Sequence, residues 1–330
     1  MTRPVTFSLA GWVEVEGRIL REEEIALRLA RDPLAAAEFG GEFSIEWDGY
    51  TARDPFGIAI GRGPPGKILK DGRVIGEVNP RFPETTLADA IVASVALRRD
   101  ESAVALSGGV DSSLVAAIAR CPCITAGIRG SPDLKAGREV ASLLDLEWIP
   151  AEIAPAEIGE ALPEVASIVP GASPLDTSIA LCWYFVARAA RDAGFRRVLT
   201  GQGADELFGG YRRYLDNPDT EALLAADLSG LPRQVARDQA VAASNGVFLS
   251  YPYLDGRVVR VASAIPAHEK VAGGTRKRAL CAVAEKFLPP AVARREKKAM
   301  QYGSGIWKEL RRLARRGGVG SVGEYLARIS

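Results

Sequence analysis

The chain has 330 residues, 47% of them apolar and 25% charged, which excludes a disordered chain and leaves room for one large domain plus a small one. A formal net charge of +1 excludes a global field drawing the protein to nucleic acid or an anionic membrane. The single histidine, His268, leaves a Ser-His-Asp triad or a multi-histidine metal site almost nothing to build on. Four cysteines (Cys121, Cys123, Cys182, Cys281) follow no zinc or disulfide spacing and read as reduced, buried thiols. The start of the chain has no apolar signal core, and no apolar run reaches eighteen residues. A cytoplasmic protein that neither crosses a membrane nor binds nucleic acid is expected.

In chain order, residues 1–83 read as a small β-rich unit. Residues 6–10, 41–47 and 67–74 are strand-like runs separated by Gly and Pro. Residues 25–37 carry helical periodicity, broken at Asp32-Pro33. Residues 80–83 read as a linker. From residue 84 the rhythm becomes strand-helix alternation. Strands are expected at 103–106, 124–128, 146–150 and 197–200, and helices at 112–120 and 134–144. A long helix is expected over 176–194, with Asp176 as N-cap and Gly194 as its stop. Beyond residue 215 the pattern is mostly helical; the basic run 308–316 there reads as a solvated helix face. The expected fold is α/β, a doubly wound parallel sheet with a helical C-terminal part, preceded by the β-rich domain. Ligands in such sheets bind at the carboxyl ends of the strands.

The first strand of this second domain runs directly into Ser107-Gly108-Gly109-Val110-Asp111-Ser112-Ser113. Two glycines let backbone N–H groups close on an oxyanion, the serines offer hydroxyls, and a helix N-terminus adds partial positive charge. A pyrophosphate group is the natural guest. Asp111 would repel it unless a cation lay between them, which suggests Mg²⁺. The loop is neither a Walker loop nor G-x-G-x-x-G. At the end of the fourth strand stands Thr200-Gly201-Gln202-Gly203-Ala204-Asp205-Glu206-Leu207-Phe208-Gly209-Gly210-Tyr211, whose carboxylates suit a hard cation.

These loops resemble the ATP pyrophosphatases, and within them the asparagine synthetase family with its β-lactam and carbapenam synthetase relatives. Gly130-Ser131-Pro132-Asp133-Leu134-Lys135, Tyr251-Pro252-Tyr253-Leu254-Asp255 and Arg295-Glu296-Lys297-Lys298 leading into Gly303 belong to the same resemblance. It covers about residues 85–310 and, more weakly, 40–75. The resemblance implies that Asp111 and Asp205 hold Mg²⁺. It implies that Ser107, Gly108, Gly109, Asp111, Ser112 and Ser113 hold the pyrophosphate of ATP. Leu106, Ile128 and Gly201 would flank the adenosine, and Lys297 would contact the phosphate and the tetrahedral transition state, with Asp205 beside it as the second catalytic residue. The implied enzyme is an AMP-forming amide ligase acting on a carboxylate such as aspartate, with small-molecule partners only; a homodimer is compatible with it.

The chain departs from that family in two places. Glutamine-using members carry a nucleophilic cysteine at position 2, where this chain has Thr2. About half the usual length of the amidotransferase-like domain is missing, so ammonia rather than glutamine is expected as the nitrogen source. Gln202 stands where the family has an acid, or in lactam-forming members a tyrosine, and a carboxamide is no base near neutral pH. Phe248, Ser250 and Ala180 replace charged groups around the expected amino-acid pocket. The alternatives are the same activation of another carboxylate and amine, as in lactam formation or metabolite or protein modification, and a non-catalytic ATP-binding relative.

Overall fold

The computed structural model describes residues 5–215, 217–295 and 299–329. The chain divides into two compact units. One comprises residues 1–97, 203–239 and 250–278, the other residues 98–202, 240–249 and 279–330. The expected boundary at 83/84 falls inside the first.

The first unit opens with strands β1 (Phe7–Val15) and β2 (Arg18–Ile19), helix α1 (Glu22–Arg31) and a 3₁₀ turn, Pro33–Glu38. Strands β3 (Gly40–Trp47), β4 (Tyr50–Arg53), β5 (Lys67–Lys70) and β6 (Arg73–Glu77) complete a sheet in the order β2-β1-β3-β4-β5-β6. The run 67–74 is therefore a hairpin and not one strand. Asp71 and Gly72 both have positive φ (47° and 79°), the geometry of a two-residue turn whose twist matches that of the strands. Asp48-Gly49 and Glu16-Gly17 turn β3 into β4 and β1 into β2 in the same way. On one face Val13, Phe43, Ile45 and Ile68 pack with Ile25 and Leu29 of α1 and with Phe39. The linker at 80–83 has no regular structure, and helix α2 (Leu87–Ala96) follows, capped by Thr86.

Asp54, after β4, is buried and accepts four backbone N–H groups, from Phe43, Phe56, Ile58 and Ala59. Burial outweighs those bonds and pushes its carboxyl up to about 6. A carboxyl raised above its unfolded value near 3.8 favours the folded protein most below that value. The contribution of Asp54 to stability should therefore fall by roughly 3 kcal/mol as pH rises from about 4 through 6. Asp54→Asn should flatten that slope and lose about 1–3 kcal/mol for each N–H left facing the amide. Urea midpoints of both proteins between pH 3.5 and 7 test this, and parallel profiles would contradict it.

The second unit alternates β7 (Ser102–Ala105), α3 (Val110–Ala119), β8 (Cys123–Ile128), α4 (Pro132–Leu143), β9 (Trp148–Ile153), α5 (Pro155–Ile168), α6 (Pro174–Asp192) and β10 (Arg197–Leu199). After it in the chain come α7 (Ala204–Phe208) and α9 (Gly256–Ala264), which belong to the first unit, and α8 (Thr220–Ser244) and β11 (Phe248–Ser250), whose residues are divided between the two. The sheet order is β11-β10-β7-β8-β9, with β10, β7, β8 and β9 parallel, the doubly wound arrangement. Helices α2 and α5 and strand β11 come in addition to the elements expected. The long helix starts earlier than expected, because Ser173 and not Asp176 is its N-cap; Ser173 Oγ accepts from the N–H of Asp176 at 3.1 Å. Gly194 (φ 86°) follows its end. Of the cysteines, Cys121, Cys123 and Cys182 are buried and Cys281 is half-buried, all as free thiols. Among the described residues no helix is long and apolar enough to cross a membrane.

Candidate active site

The chain builds the second sheet outward from β7 through β8 to β9, then returns to place β10 on the other side of β7. That reversal makes the carboxyl ends of β7 and β10 the topological switch point, where such sheets bind ligands. The loop after β7 is Ser107 to Ser113, and the loop after β10 begins at Thr200.

Helix α3 begins at Val110 with Gly109 as N-cap, so Asp111 lies in its first turn. Gly108 has φ 78°, and a Cβ there would lie 2.5 Å from the Cβ of Ala136 in α4. Only glycine fits both conditions. Ser107 N–H donates to Ser112 Oγ at 3.1 Å, the two serine Oγ atoms lie 3.0 Å apart, and Ser112 Oγ donates to Gly109 O at 3.3 Å. Those bonds fix the loop. Ser113 is fully buried and its Oγ has no hydrogen-bond partner. It lies in the first turn of α3, beside the N–H groups that open the helix. Gly201 closes the loop from β10: a Cβ there would lie 2.8 Å from Ser112 N and 3.0 Å from Asp111 Cβ.

Leu106 is buried beneath this loop, its N–H bonded to Ile124 O and its carbonyl to Thr125 Oγ1. Ile128, at the end of β8, donates its N–H to Ser304 O and accepts from Ser131 N–H. A base beside Ile128 would therefore meet its side chain rather than its backbone N–H. Lys297 lies outside the described residues, with Glu296 and Lys298. The chain on either side of it is tied to α4. Arg295 pairs with Glu139 at 2.6 Å, and Gly303 packs on the buried carboxylate of Asp133 so closely that no side chain would fit. Asp133, Ala136 and Glu139 are three residues apart, so these anchors flank the Ala136 that supports Gly108.

Asp205, in the first unit, is held by a residue that sequence reasoning missed. Lys277 Nζ lies 2.6 Å from Asp205 Oδ1, with the lysine side chain 12% exposed. Lys277 itself has φ 55°, strained for a side-chain-bearing residue. Gly210 makes room for the pair, since a Cβ there would overlap the Asp205 carboxylate and the Lys277 chain. Arg276 fixes the same turn by donating to Gly210 O at 2.7 Å. Beside them Glu206 is buried and accepts from Tyr211 Oη at 2.6 Å. Burial is the main cause that raises the Glu206 carboxyl to about 7, with Asp205 adding to it; Tyr211 and Lys277 oppose the shift. No sequence signal marks Lys277, since a lysine between two arginines reads as surface charge.

Among the described residues no three carboxylate, imidazole or thiol groups converge into a metal site of their own. Mg²⁺ does not need one, because it is commonly held by one or two carboxylates plus substrate phosphates. The glycine cradle, the unpaired Ser113 hydroxyl and the single loop carboxylate fit a nucleotide carrying its cation.

The fold thus defines a doubly wound α/β protein with the loop from Ser107 to Ser113 at its switch point. The asparagine synthase family model matches residues 86–238 and 220–321, and the chain belongs to that family. A Methanocaldococcus jannaschii protein assigned as asparagine synthetase (glutamine-hydrolyzing) 1 is 30% identical over 272 residues, 69% of this chain and 50% of that protein. Asparagine synthetase B (glutamine-hydrolyzing) of Escherichia coli is 28% identical over 227 residues, 61% of this chain and 41% of the relative. The chain spans about half the length, or less, of these curated relatives.

Proposed function

We propose that the chain is an ATP-dependent, AMP-forming amide ligase. A carboxylate oxygen attacks the α-phosphorus of ATP, the bond between the α- and β-phosphates breaks, and pyrophosphate leaves. Ammonia then attacks the activated carbonyl, AMP departs with the bonding electrons, and the surplus amine proton goes to solvent or base. Aspartate is the default carboxylate. The observation that carries this reading is the loop from Ser107 to Ser113, closed by Gly201 at the switch point.

In this reading Ser107, Gly108, Gly109, Ser112 and Ser113 bind and orient the pyrophosphate portion. Leu106, Ile128 and Gly201 border the nucleoside. Asp111 and Asp205 hold Mg²⁺, which when bound neutralises charge building on the leaving group. Lys297 is the point-charge ammonium proposed to meet that same charge. Residues 1–83 are a reduced amidotransferase-like module, and residues 84–330 the synthetase module.

A second reading keeps the activation and changes the carboxylate or the amine. Gln202 favours it, since its Oε1 is buried without a partner. The test is a product assay with ATP, aspartate and either ammonium or glutamine. AMP and pyrophosphate should form, glutamine should not replace ammonium, and no glutamate should appear. ADP and phosphate as products, or glutamate released from glutamine by this chain alone, would overturn the proposal.

A further inference from the structure

We propose that the N-terminal sheet works as a clamp on residues 250–257 and thereby seats α7, with Glu42 and Glu14 as its positioning residues. The functional weight of that clamp rests on the reading that Asp205, on α7, serves the nucleotide site.

Glu42 of β3 is fully buried. Its Oε2 accepts from Trp12 Nε1 at 3.1 Å and from Ser250 Oγ at 2.6 Å, and its Oε1 accepts from the Tyr251 N–H at 2.8 Å. Trp12 faces Glu42 across the β1–β3 ladder, so the sheet itself aims the carboxylate. Glu14 of β1 is also fully buried, and its Oε1 accepts from Arg257 Nη2 at 2.6 Å. The other guanidinium nitrogen, Nη1, reaches both oxygens of Asp255 at 3.0 and 3.1 Å. Two buried carboxylates from neighbouring strands thus grip the two ends of one short segment.

What that segment carries is the seat of α7. Between its ends lies a 3₁₀ turn, Pro252–Leu254, further tied by Ser94 Oγ to Pro252 O at 2.6 Å. Leu254 lies so close to Gly203, the N-cap of α7, that a Cβ there would be 2.5 Å from Leu254 Cδ2. Tyr253 packs edge-on against Phe208, the last residue of α7, with ring centroids 6.1 Å apart. Both ends of α7 therefore rest on the turn that the sheet holds. Burying two carboxylates is costly where apolar contacts would suffice for adhesion, and their directed bonds set a register that apolar contacts leave loose.

Glu42→Gln isolates this role. One face of the amide becomes a donor, which must oppose either the Tyr251 N–H or the Trp12 indole N–H. Ser250→Ala removes the clamp from the other side, and Trp12→Phe, which leaves the bonds to residues 250 and 251, is the control. Amide hydrogen exchange of the full chain reads the seat without any substrate. Residues 204–208 should exchange at least about tenfold faster in Glu42→Gln, less so in Ser250→Ala, with α3 unchanged and Trp12→Phe like wild type. The same variants should need several-fold more Mg²⁺ for half-maximal ATP–pyrophosphate exchange. Unchanged protection of residues 204–208 in both Glu42→Gln and Ser250→Ala would overturn the clamp. Faster hydrogen exchange with wild-type pyrophosphate exchange would uphold it and remove Asp205 from the nucleotide site.

Discussion

Asp111→Asn should lower carboxylate-dependent pyrophosphate release by at least about 10²-fold, the scale on which one preorganised charge-stabilising group acts. The side chain stands in the first turn of α3, beside N–H groups that would otherwise meet phosphate directly. In the proposed reading a cation lies between this carboxylate and the phosphates, so an isosteric amide weakens cation binding and keeps the loop. Gly201, packed on Asp111 Cβ, leaves space for asparagine as it does for aspartate. Asp205→Asn should act in the same direction, and it also releases Lys277 from its 2.6 Å ion pair. Near-UV circular dichroism should show both variants folded. Full pyrophosphate release by either at saturating Mg²⁺ would remove its assigned role.

The second large effect concerns proton removal from the attacking amine. Gln202 follows Gly201, and a carboxamide there accepts a hydrogen bond but not a proton. Amide formation by the wild type at fixed total ammonium should climb with pH in step with free ammonia. Pyrophosphate release should vary much less, because adenylation removes no proton from the amine. Gln202→Glu should supply the missing base, flatten the amide profile and raise the rate at neutral pH, by up to about 10²–10⁴-fold for a well-placed carboxylate. Side-by-side measurement of amide and pyrophosphate from mildly acidic to alkaline pH checks this. Parallel wild-type profiles that ignore the substitution would place the base elsewhere or exclude ammonia as the acceptor.

The parts of the site legible in the sequence are those where chemistry constrains the backbone. Gly108 stands between a strand and a helix, where a positive φ and the close approach of Ala136 both require glycine. The alternation of strands and helices in the second unit is legible for a similar reason, since buried parallel strands must be apolar throughout. Side chains that act across long sequence separations were not legible. Lys277 meets Asp205 only through the fold, and its strained φ leaves no mark on residue type. Glu42 reads as an ordinary polar position of a strand until Ser250 and Tyr251 are brought to it. Some local features were written in the sequence but outweighed by competing signals. Helix α5 has Pro155 at its start and Glu157 bonded back to the Ala154 N–H, but the interior Pro163 argues against a helix. The Asp48-Gly49 and Asp71-Gly72 turns are strong hairpin signals, and they split the sheet more finely than the apolar runs alone suggest.

In the proposed function the loop from Ser107 to Ser113 holds ATP while a carboxylate displaces pyrophosphate from its α-phosphate. ATP–pyrophosphate exchange across a panel of carboxylates, with no amine added, tests it most directly because it isolates activation from the second half-reaction. Radiolabelled pyrophosphate should enter ATP only when the correct carboxylate and Mg²⁺ are both present, and Asp111→Asn should abolish the signal. Exchange that proceeds without any carboxylate, or that survives Asp111→Asn unchanged, would contradict it.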